Sequence, residues 1–360
     1  MKILFVFYIP SGGMETLNRQ RVIALERIGI SCSLLYLHEG TGMQNLDGVP
    51  VYVTKDEKEI TELVNRERFD AVVISMVAEL ILPLRSSGYK GKIIYEAQGL
   101  GSVEEAEFGL KRILPLLILH ADAVLYPRTP HLIRIFETYY ARMKRFSFHN
   151  CIDMESFRFE RHPVAPVPII GWVGRIEPNK NWRSLLEVGR LFKTRNRPVV
   201  IRMYVDNTLG PEEGEFRKLV ADYELGSRLT VLANLPHKEM ARQYSVIGDS
   251  GGVLLSTSRV EGFGYAVLEA MCCRCPVVST DSDGVRSFIA DRVTGRFYPH
   301  DDHEEAFRQI SELMDNVPLR EEIRFRASRH AAEGFSPDLY ARQFSCMLSV
   351  LGIGLVKQHG

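Results

Sequence analysis

The order of apolar and polar positions divides the chain into short apolar runs, each followed by a longer stretch with helical spacing. Residues 2–7 form the first apolar run, and an amphipathic stretch at 16–28 ends at Gly29 before the next run at 31–37. An apolar run of this length is typical of a strand buried on both faces of a parallel sheet, and the amphipathic stretch is typical of a helix covering that sheet. This pattern predicts the opening of a doubly wound α/β domain.

The same alternation continues along the chain. Further strands are predicted at 71–75, 92–95, 123–126, 169–173, 199–205, 229–232, 252–255 and 276–279. Further helices are predicted at 57–66, 103–120, 130–140, 182–193, 213–223, 238–245, 304–314, 319–332 and 337–351. Three prolines within residues 161–168 separate two complete α/β patterns, which is typical of a linker. We therefore place one domain at residues 1–162, a second at 163–336 and a final helical segment at 337–360, with ligands expected in the cleft between the domains.

Length and charge narrow the classes of function. The 360 residues are enough for two domains of ordinary size, and a hydrophobic content of 45% is ample for two cores. Lys plus Arg and Asp plus Glu are equal at 45 each, so the net charge gives no argument for nucleic acid as a partner. The longest candidate for a membrane span, residues 113–119, is too short. Since the first residues look like a strand rather than a signal peptide, we expect a soluble, cytoplasmic protein.

Two clusters of residues allow more than one interpretation. Cys272, Cys273 and Cys275 resemble half of a zinc site, but no second pair of cysteine or histidine ligands has a suitable spacing, so we expect no bound metal. Basic residues flank apolar stretches of the first domain: Lys111, Arg112, Arg142, Lys144 and Arg145. These residues could make a peripheral contact with the anionic inner face of a membrane. The alternative is an ordinary solvated surface.

The strongest chemical signal follows the apolar run at 253–256, where a glycine-bearing loop leads into a helix-forming stretch. Gly262 and Gly264 let the backbone approach a ligand closely, and the amides at the start of the helix favour a phosphate. Glu261 on the loop and Glu269 in the helix would flank this site, one beside a sugar and the other beside a ribose. Alternatively, Glu269 only pairs with the helix dipole, and Gly262 and Gly264 only form a turn.

Arg175 and Lys180 follow the predicted strand at 169–173, in the loop position where α/β domains bind ligands. A guanidinium can bind two phosphate oxygens and an ammonium adds a compact charge, so together they could neutralise a diphosphate leaving group. Solvated surface cations are the alternative.

In the first half, Gly13 and Gln98 also follow predicted strands. Gly13 would let the backbone approach the same ligand, and Gln98 would bind a sugar hydroxyl. The alternatives are a plain turn at Gly13 and a solvated amide at Gln98.

Together, these motifs resemble the GT4 family of retaining glycosyltransferases over nearly the whole chain. The most specific element is the E-x7-E motif that runs from Glu261 to Glu269. Arg175 and Lys180 look like the phosphate-binding pair of the family, and Gly13 lies in a loop similar to its first glycine loop. Shorter segments follow in the order of the family, at 121–124, 150–153 and 276–280.

The resemblance implies an α/β GT-B fold, in which two Rossmann-like, doubly wound domains flank a cleft. The N-terminal domain would bind the acceptor, the C-terminal domain would bind the donor, and the last helix would cross back to the N-terminal domain. The implied activity is that of a metal-independent, retaining hexosyltransferase that needs no cofactor. It would move a sugar from a nucleotide-sugar donor, with a UDP-sugar favoured, to a glycan, a lipid-linked saccharide or a small molecule.

The resemblance also implies a role for each site residue. Glu261 would contact the donor sugar and act in catalysis with Arg175 and Lys180, which would hold the diphosphate. Glu269 would bind the ribose hydroxyls. The other residues expected to contact the donor are Gly13, Gly262, Phe263, Gly264, Tyr265 and Ala266. The leaving phosphate would take the proton of the acceptor.

Three segments depart from the pattern of the family. Gln98 stands where the family often has histidine, residues 281–287 replace a glycine pair and a nearby glutamate, and residues 204–208 lack a glycine-rich turn. We therefore expect unusual donor preference or loop shape. Two rival functions remain: a GT-B epimerase of UDP-sugars, which the E-x7-E motif disfavours, and a non-catalytic sugar-nucleotide-binding or scaffold protein. The presence of both glutamates and both cations argues against the second rival.

Overall fold

A computed structural model describes residues 1–46, 48–99, 101–206 and 212–354. The chain divides into two compact units, Met1–Asp153 with the C-terminal segment from Phe335, and Met154–Gly334. This division differs from the expected boundary at 162 because residues 154–162 are bonded to the second unit. In that segment the Glu160 amide donates to Ser245 Oγ at 3.2 Å, and the His162 amide donates to Asp249 at 2.8 Å. Residues 207 and 208, in the segment expected to lack a glycine-rich turn, lie outside the described residues.

The strands of the two units form two parallel sheets. They are β1 (Lys2–Phe7), β2 (Ser31–Tyr36), β3 (Val51–Val53), β4 (Ala71–Ser75), β5 (Lys92–Glu96), β6 (Ala123–Tyr126), β7 (Arg145–Ser147), β8 (Ile169–Val173), β9 (Val200–Val205), β10 (Leu229–Ala233), β11 (Val253–Ser256), β12 (Val277–Thr280) and β13 (Arg296–Tyr298). Over the described residues, the order is β3-β2-β1-β4-β5-β6-β7 in the first sheet and β10-β9-β8-β11-β12-β13 in the second. Both orders reverse beside the first strand of the unit, which is the arrangement of a doubly wound fold. The predicted pair of Rossmann-like domains is confirmed.

Helices connect most of the consecutive strands, and three more follow the last strand. They are α1 (Gly12–Glu26), α2 (Glu57–Glu67), α3 (Ile81–Ser86), α4 (Val103–His120), α5 (Pro130–Tyr139), α6 (Trp182–Thr194), α7 (Glu213–Asp222), α8 (His237–Asp249), α9 (Tyr265–Cys272), α10 (His303–Asp315), α11 (Val317–Gly334) and α12 (Pro337–Val350). The amphipathic spacing seen in the sequence places their apolar faces on the sheets. Because every strand is parallel, the carboxyl ends of the strands in each sheet share one edge, where loops can assemble a binding site.

The last helix packs on the first unit. Ser336 caps α12 by accepting a hydrogen bond from the Leu339 amide at 3.3 Å, and a proline at the first helical position suits the start of a helix. The ring of Phe344 lies 5.9 Å from that of Phe5 in β1, and both side chains are fully buried. Burial of a side chain of this size contributes about 1.5–3 kcal/mol. The C-terminal segment therefore completes the core of the first unit.

Candidate functional site

Two loops of the second unit, after β8 and after β11, are bonded to each other. The Asn179 side chain accepts from the Val260 amide at 3.2 Å and donates to the Val260 carbonyl at 3.0 Å. The Arg259 amide also donates to the Asn179 carbonyl at 2.8 Å. Because both loops follow neighbouring parallel strands, these bonds bring residues 81 positions apart into one site.

Lys180 and Glu261, both predicted to be catalytic, form an ion pair at this junction. Lys180 Nζ lies 2.5 Å from Glu261 Oε1, and Ser258 Oγ donates to the same carboxylate oxygen at 2.6 Å. The two charged side chains are 21% and 16% exposed, so the pair is held at the edge of the fold and still reaches solvent. The Lys180 backbone is fixed in turn, because Thr257 Oγ1 donates to its carbonyl at 2.6 Å. A cation and a carboxylate are thus placed together where a charged ligand could contact both.

Arg175, the other predicted phosphate ligand, lies on the same loop as Lys180. Its Nη2 atom is 3.2 Å from Glu177 Oε1, and its side chain is 56% exposed. The guanidinium therefore pairs with a neighbour on its own loop and keeps much of its surface in solvent. An exposed pair of this kind contributes little to stability, so Arg175 can exchange Glu177 for an anionic ligand at small cost.

Glu269 lies in α9 and is almost completely buried, at 4% exposed. Tyr244 OH donates to its Oε2 atom at 2.9 Å, and His237 Nε2 lies 2.8 Å from its Oε1 atom. Sequence reasoning did not find His237 or Tyr244, because they come from α8 and no local pattern links them to the loop after β11. The carboxylate is thus held at both oxygens by donors from the neighbouring helix.

The residues expected to bind phosphate through their amides lie at the start of α9. Gly264 precedes the helix with φ +89° and ψ +52°, a left-handed conformation that favours glycine. Tyr265 and Ala266 form the first turn, where backbone amides point out of a helix. The Phe263 side chain is 5% exposed, and its ring packs 5.0 Å from Tyr265 and 5.4 Å from Phe288. Phe263 therefore anchors the loop, and its expected donor contact stays a prediction.

The segment that replaces the glycine pair of the family contains a strained turn. Asp283 has φ +63° and ψ −67°, and the Gly284 amide donates to the Ser282 carbonyl at 2.8 Å. These values define the rare form of the γ-turn, which is strained for a residue with a Cβ. The turn supports the site loop directly, because the Gly284 amide also donates to the Glu261 carbonyl at 3.1 Å.

We expect Asp283→Gly to stabilise the second unit. Glycine removes the steric cost of this backbone conformation, which is of order 1–3 kcal/mol, and loses part of that gain to greater freedom of the unfolded chain. A net gain of about 1 kcal/mol would raise the melting temperature by about 2–4 °C. Differential scanning calorimetry of both proteins checks this, with Asp283→Ala as the control that keeps the Cβ. A lower melting temperature for the glycine variant would contradict it and would show that the side chain contacts of Asp283 outweigh the strain.

Gly13 and Gln98, the two site residues predicted from the first half, lie in the first unit. Gly13 is the second residue of α1. Gln98 is 7% exposed, and its amide exchanges hydrogen bonds with Asn150 at 3.0 and 3.2 Å. It is therefore part of a buried polar network, which excludes the alternative of a solvated amide. The network continues through Glu96, which pairs with the fully buried Arg21 at 2.7 Å.

The cysteine cluster and the basic residues show ordinary structural contacts. Cys272, Cys273 and Cys275 are buried, and burial raises the pKa of each thiol, to about 12 for Cys275. In the part of the chain that the structure describes, no group of three or more His, Cys, Asp or Glu could hold a metal ion.

Lys111 pairs with Glu107 at 2.6 Å, and Lys144 donates to the Val350 carbonyl at 3.1 Å. Among the described residues, no helix is both long and apolar enough to span a bilayer.

Comparison with known proteins finds a family model that matches the second unit. The model of the family described as "Glycosyl transferases group 1" matches residues 153–330. The chain is 27% identical to an alpha-D-kanosaminyltransferase of Streptomyces kanamyceticus, over 54% of this chain and 48% of that protein. It is 26% identical to a sucrose synthase of Acidithiobacillus caldus, over 81% of this chain and 38% of that protein. The matched stretches thus span less than half the length of these relatives.

Solved structures of other proteins are similar in fold to nearly the whole of this chain. The structure of Anabaena Alr3699/HepE in complex with UDP-glucose gives a TM-score of 0.81 at 17% identity, over 97% of this chain and 100% of that one. The sucrose-phosphate synthase of Thermosynechococcus elongatus gives 0.79 at 16% identity, over 98% and 99%. At these identities the likeness concerns the fold alone, and it confirms the expected GT-B architecture of two parallel-sheet α/β domains.

Proposed function

Because residues 153–330 of this chain match the model of the glycosyl transferases group 1 family, we propose that the protein transfers a sugar from a nucleotide-sugar donor to an acceptor hydroxyl. One observation carries the proposal: the loops after β8 and β11 join the Lys180–Glu261 ion pair to a helix that follows a left-handed glycine and contains Glu269. A cation and the amides at a helix start suit a diphosphate. The two carboxylates suit the hydroxyls of a sugar and of a ribose.

In the proposed reaction, Lys180 and Arg175 bind the diphosphate of the donor and stabilise the negative charge that develops as it leaves. The bond between the anomeric carbon and the phosphate oxygen breaks, and a bond to the acceptor oxygen forms on the same face of the sugar. The departing phosphate oxygen takes the acceptor proton. Because the new bond forms on the face from which the phosphate leaves, the configuration is retained. The two cations supply the positive charge, and we propose that the reaction needs no metal ion and no cofactor.

Glu261 is proposed to bind the donor sugar. Its Oε1 atom is held by Lys180 and Ser258. A diphosphate that binds Lys180 would compete for the ammonium and leave the carboxylate to accept hydrogen bonds from sugar hydroxyls. Donor binding and carboxylate release are therefore coupled in this proposal. Glu269 is proposed to accept from the ribose hydroxyls, and the roles expected for Gly13 and Gln98 stay predictions.

We propose a UDP-sugar as the donor, with a glycan, a lipid-linked saccharide or a small molecule as the acceptor. The solved structures of Anabaena Alr3699/HepE with UDP and glucose and with UDP-glucose support UDP as the first nucleotide to test. A peripheral contact with a membrane surface is part of the proposal only for a lipid-linked acceptor.

A thermal-shift screen against UDP-, GDP-, ADP- and dTDP-sugars, followed by a hydrolysis assay without acceptor, tests this function. The proposal expects one nucleotide class to raise the melting temperature, with slow release of the nucleoside diphosphate from its sugar. Interconversion of the sugars would instead identify an epimerase. Binding without release or interconversion would identify a non-catalytic sugar-nucleotide-binding protein, and no shift with any donor would refute the site.

We expect Glu269→Ala to raise the Kd for UDP by at least tenfold in calorimetry, because a carboxylate that accepts from hydroxyls contributes roughly 1.5–3 kcal/mol. Glu187→Ala is a matched control, since Glu187 in α6 also accepts a hydrogen bond from a tyrosine, Tyr223. The control should bind UDP like the wild type. Equal affinity of the wild type and Glu269→Ala would remove Glu269 from the donor site.

A further inference from the structure

The buried carboxylate of Glu269 is held at both of its oxygens by one helix. α8 supplies both donors, His237 to Oε1 at 2.8 Å and Tyr244 to Oε2 at 2.9 Å. His237 lies one position after Pro236 at the start of α8, whereas Tyr244 lies two turns further along. The plane of the carboxylate is therefore fixed by two contacts that approach from the same neighbouring element.

The two donors are themselves fixed. Tyr244 is fully buried, and burial together with the nearby carboxylate raises the pKa of its hydroxyl well above the usual value. The hydroxyl therefore keeps its proton and donates to Glu269. The ring of Phe157, which is 1% exposed, lies 4.9 Å from the His237 ring and 6.5 Å from the Tyr244 ring. Packing thus limits the movement of both side chains.

A buried carboxylate without such donors would be unfavourable and free to rotate. Each carboxylate oxygen can accept more than one hydrogen bond, so a ligand hydroxyl can join at each oxygen beside the protein donor. Two neighbouring hydroxyls of a ribose match two carboxylate oxygens only if the plane of the carboxylate is already set. An orientation fixed before binding saves the entropy of ordering the side chain when the ligand arrives.

We propose that Tyr244 and His237 are positioning residues that hold the Glu269 carboxylate in the orientation needed to accept hydrogen bonds from both ribose hydroxyls of the donor. This inference rests on the proposed function and names the part of the ligand that the two residues control. It predicts that both residues affect ligand affinity only through the ribose hydroxyls. A purely structural role would instead change affinity for every nucleotide alike.

Calorimetry with UDP and with 2′,3′-dideoxy-UDP tests the inference. Tyr244→Phe removes one hydroxyl and should raise the Kd for UDP by about tenfold, with the Kd for the dideoxy analogue unchanged. In the transfer reaction, KM for the donor should rise by a similar factor and kcat should change by less than threefold. Tyr223→Phe is the matched control, because it removes a tyrosine–glutamate hydrogen bond in the same unit and should leave both affinities unchanged.

His237 provides an independent variant if Tyr244→Phe does not fold. His237→Ala should also weaken UDP binding and spare the dideoxy analogue, and His237→Gln should restore most of the affinity because its amide N–H can replace that of the ring. Equal effects on UDP and the dideoxy analogue, or no effect on either, would overturn the inference while leaving the proposed function intact. If the wild type binds none of UDP, GDP, ADP and dTDP, the proposed function and the inference both fail.

Discussion

Replacing Lys180 with alanine should lower kcat by about 100- to 1000-fold and leave the protein folded. Loss of one group that stabilises developing negative charge typically costs about 2.7–4 kcal/mol in the transition state. In the proposed site, its 2.5 Å contact with Glu261 and the Thr257 hydrogen bond to its carbonyl hold Lys180 in the loop after β8. The change also leaves the Glu261 carboxylate without its cation, which would add repulsion to the proposed leaving group. Steady-state kinetics with the donor identified by thermal shift measures the effect.

Two variants separate charge from other effects of the Lys180 substitution. Lys180→Arg keeps the positive charge and should retain more activity than the alanine variant, although its geometry differs. Lys193→Ala is the matched control, because Lys193 also pairs with a glutamate of the second unit, Glu224, and is not part of the proposed site. Lys193→Ala should keep wild-type kcat. Activity of Lys180→Ala within threefold of the wild type would show that the ion pair with Glu261 is only structural.

Most of the fold could be predicted from the sequence because its long elements repeat a simple pattern. The apolar runs at β1 and β4 are buried on both faces, so hydrophobicity alone identified them. The strands β3, β7 and β13 were not predicted, since each has three residues and no period can appear over that length. Their pairing depends on the sheet edges that neighbouring strands provide, which is tertiary information.

The candidate site likewise has a part that local sequence predicts and a part that depends on tertiary packing. The loop and helix with Glu261 and Glu269 could be predicted, because glycine positions and helix starts are local features of the sequence. The contacts of Glu269 with His237 and Tyr244 could not, since they depend on how α8 and α9 pack. The strain at Asp283 was equally hidden, because a positive φ at a residue other than glycine is set by the surrounding backbone.

The largest structural effect near the site is expected from Gly284→Ala. A Cβ at this position would lie 2.4 Å from the Glu261 carbonyl oxygen and 2.7 Å from the Gly262 carbonyl carbon. Both contacts are with backbone, so the Glu261 loop has to move, and overpacking of this kind typically costs about 1–3 kcal/mol. A shift of roughly 1 Å in a positioning group can lower the rate by about 100-fold. We therefore expect both a lower melting temperature and at least that loss in kcat/KM.

Gly214→Ala is the matched control for this substitution. Gly214 lies in α7, and a Cβ there would meet no atom within 4 Å. Alanine in a helix is more stable than glycine by about 0.5–1 kcal/mol, so this variant should be slightly more stable than the wild type and equally active. Calorimetry and kinetics on the two variants separate the steric effect from the general effect of a glycine substitution. If Gly284→Ala melted and turned over like the wild type, the turn at Ser282 to Gly284 would not determine the position of Glu261, and the contacts of its carboxylate with Lys180 and Ser258 would have to do so.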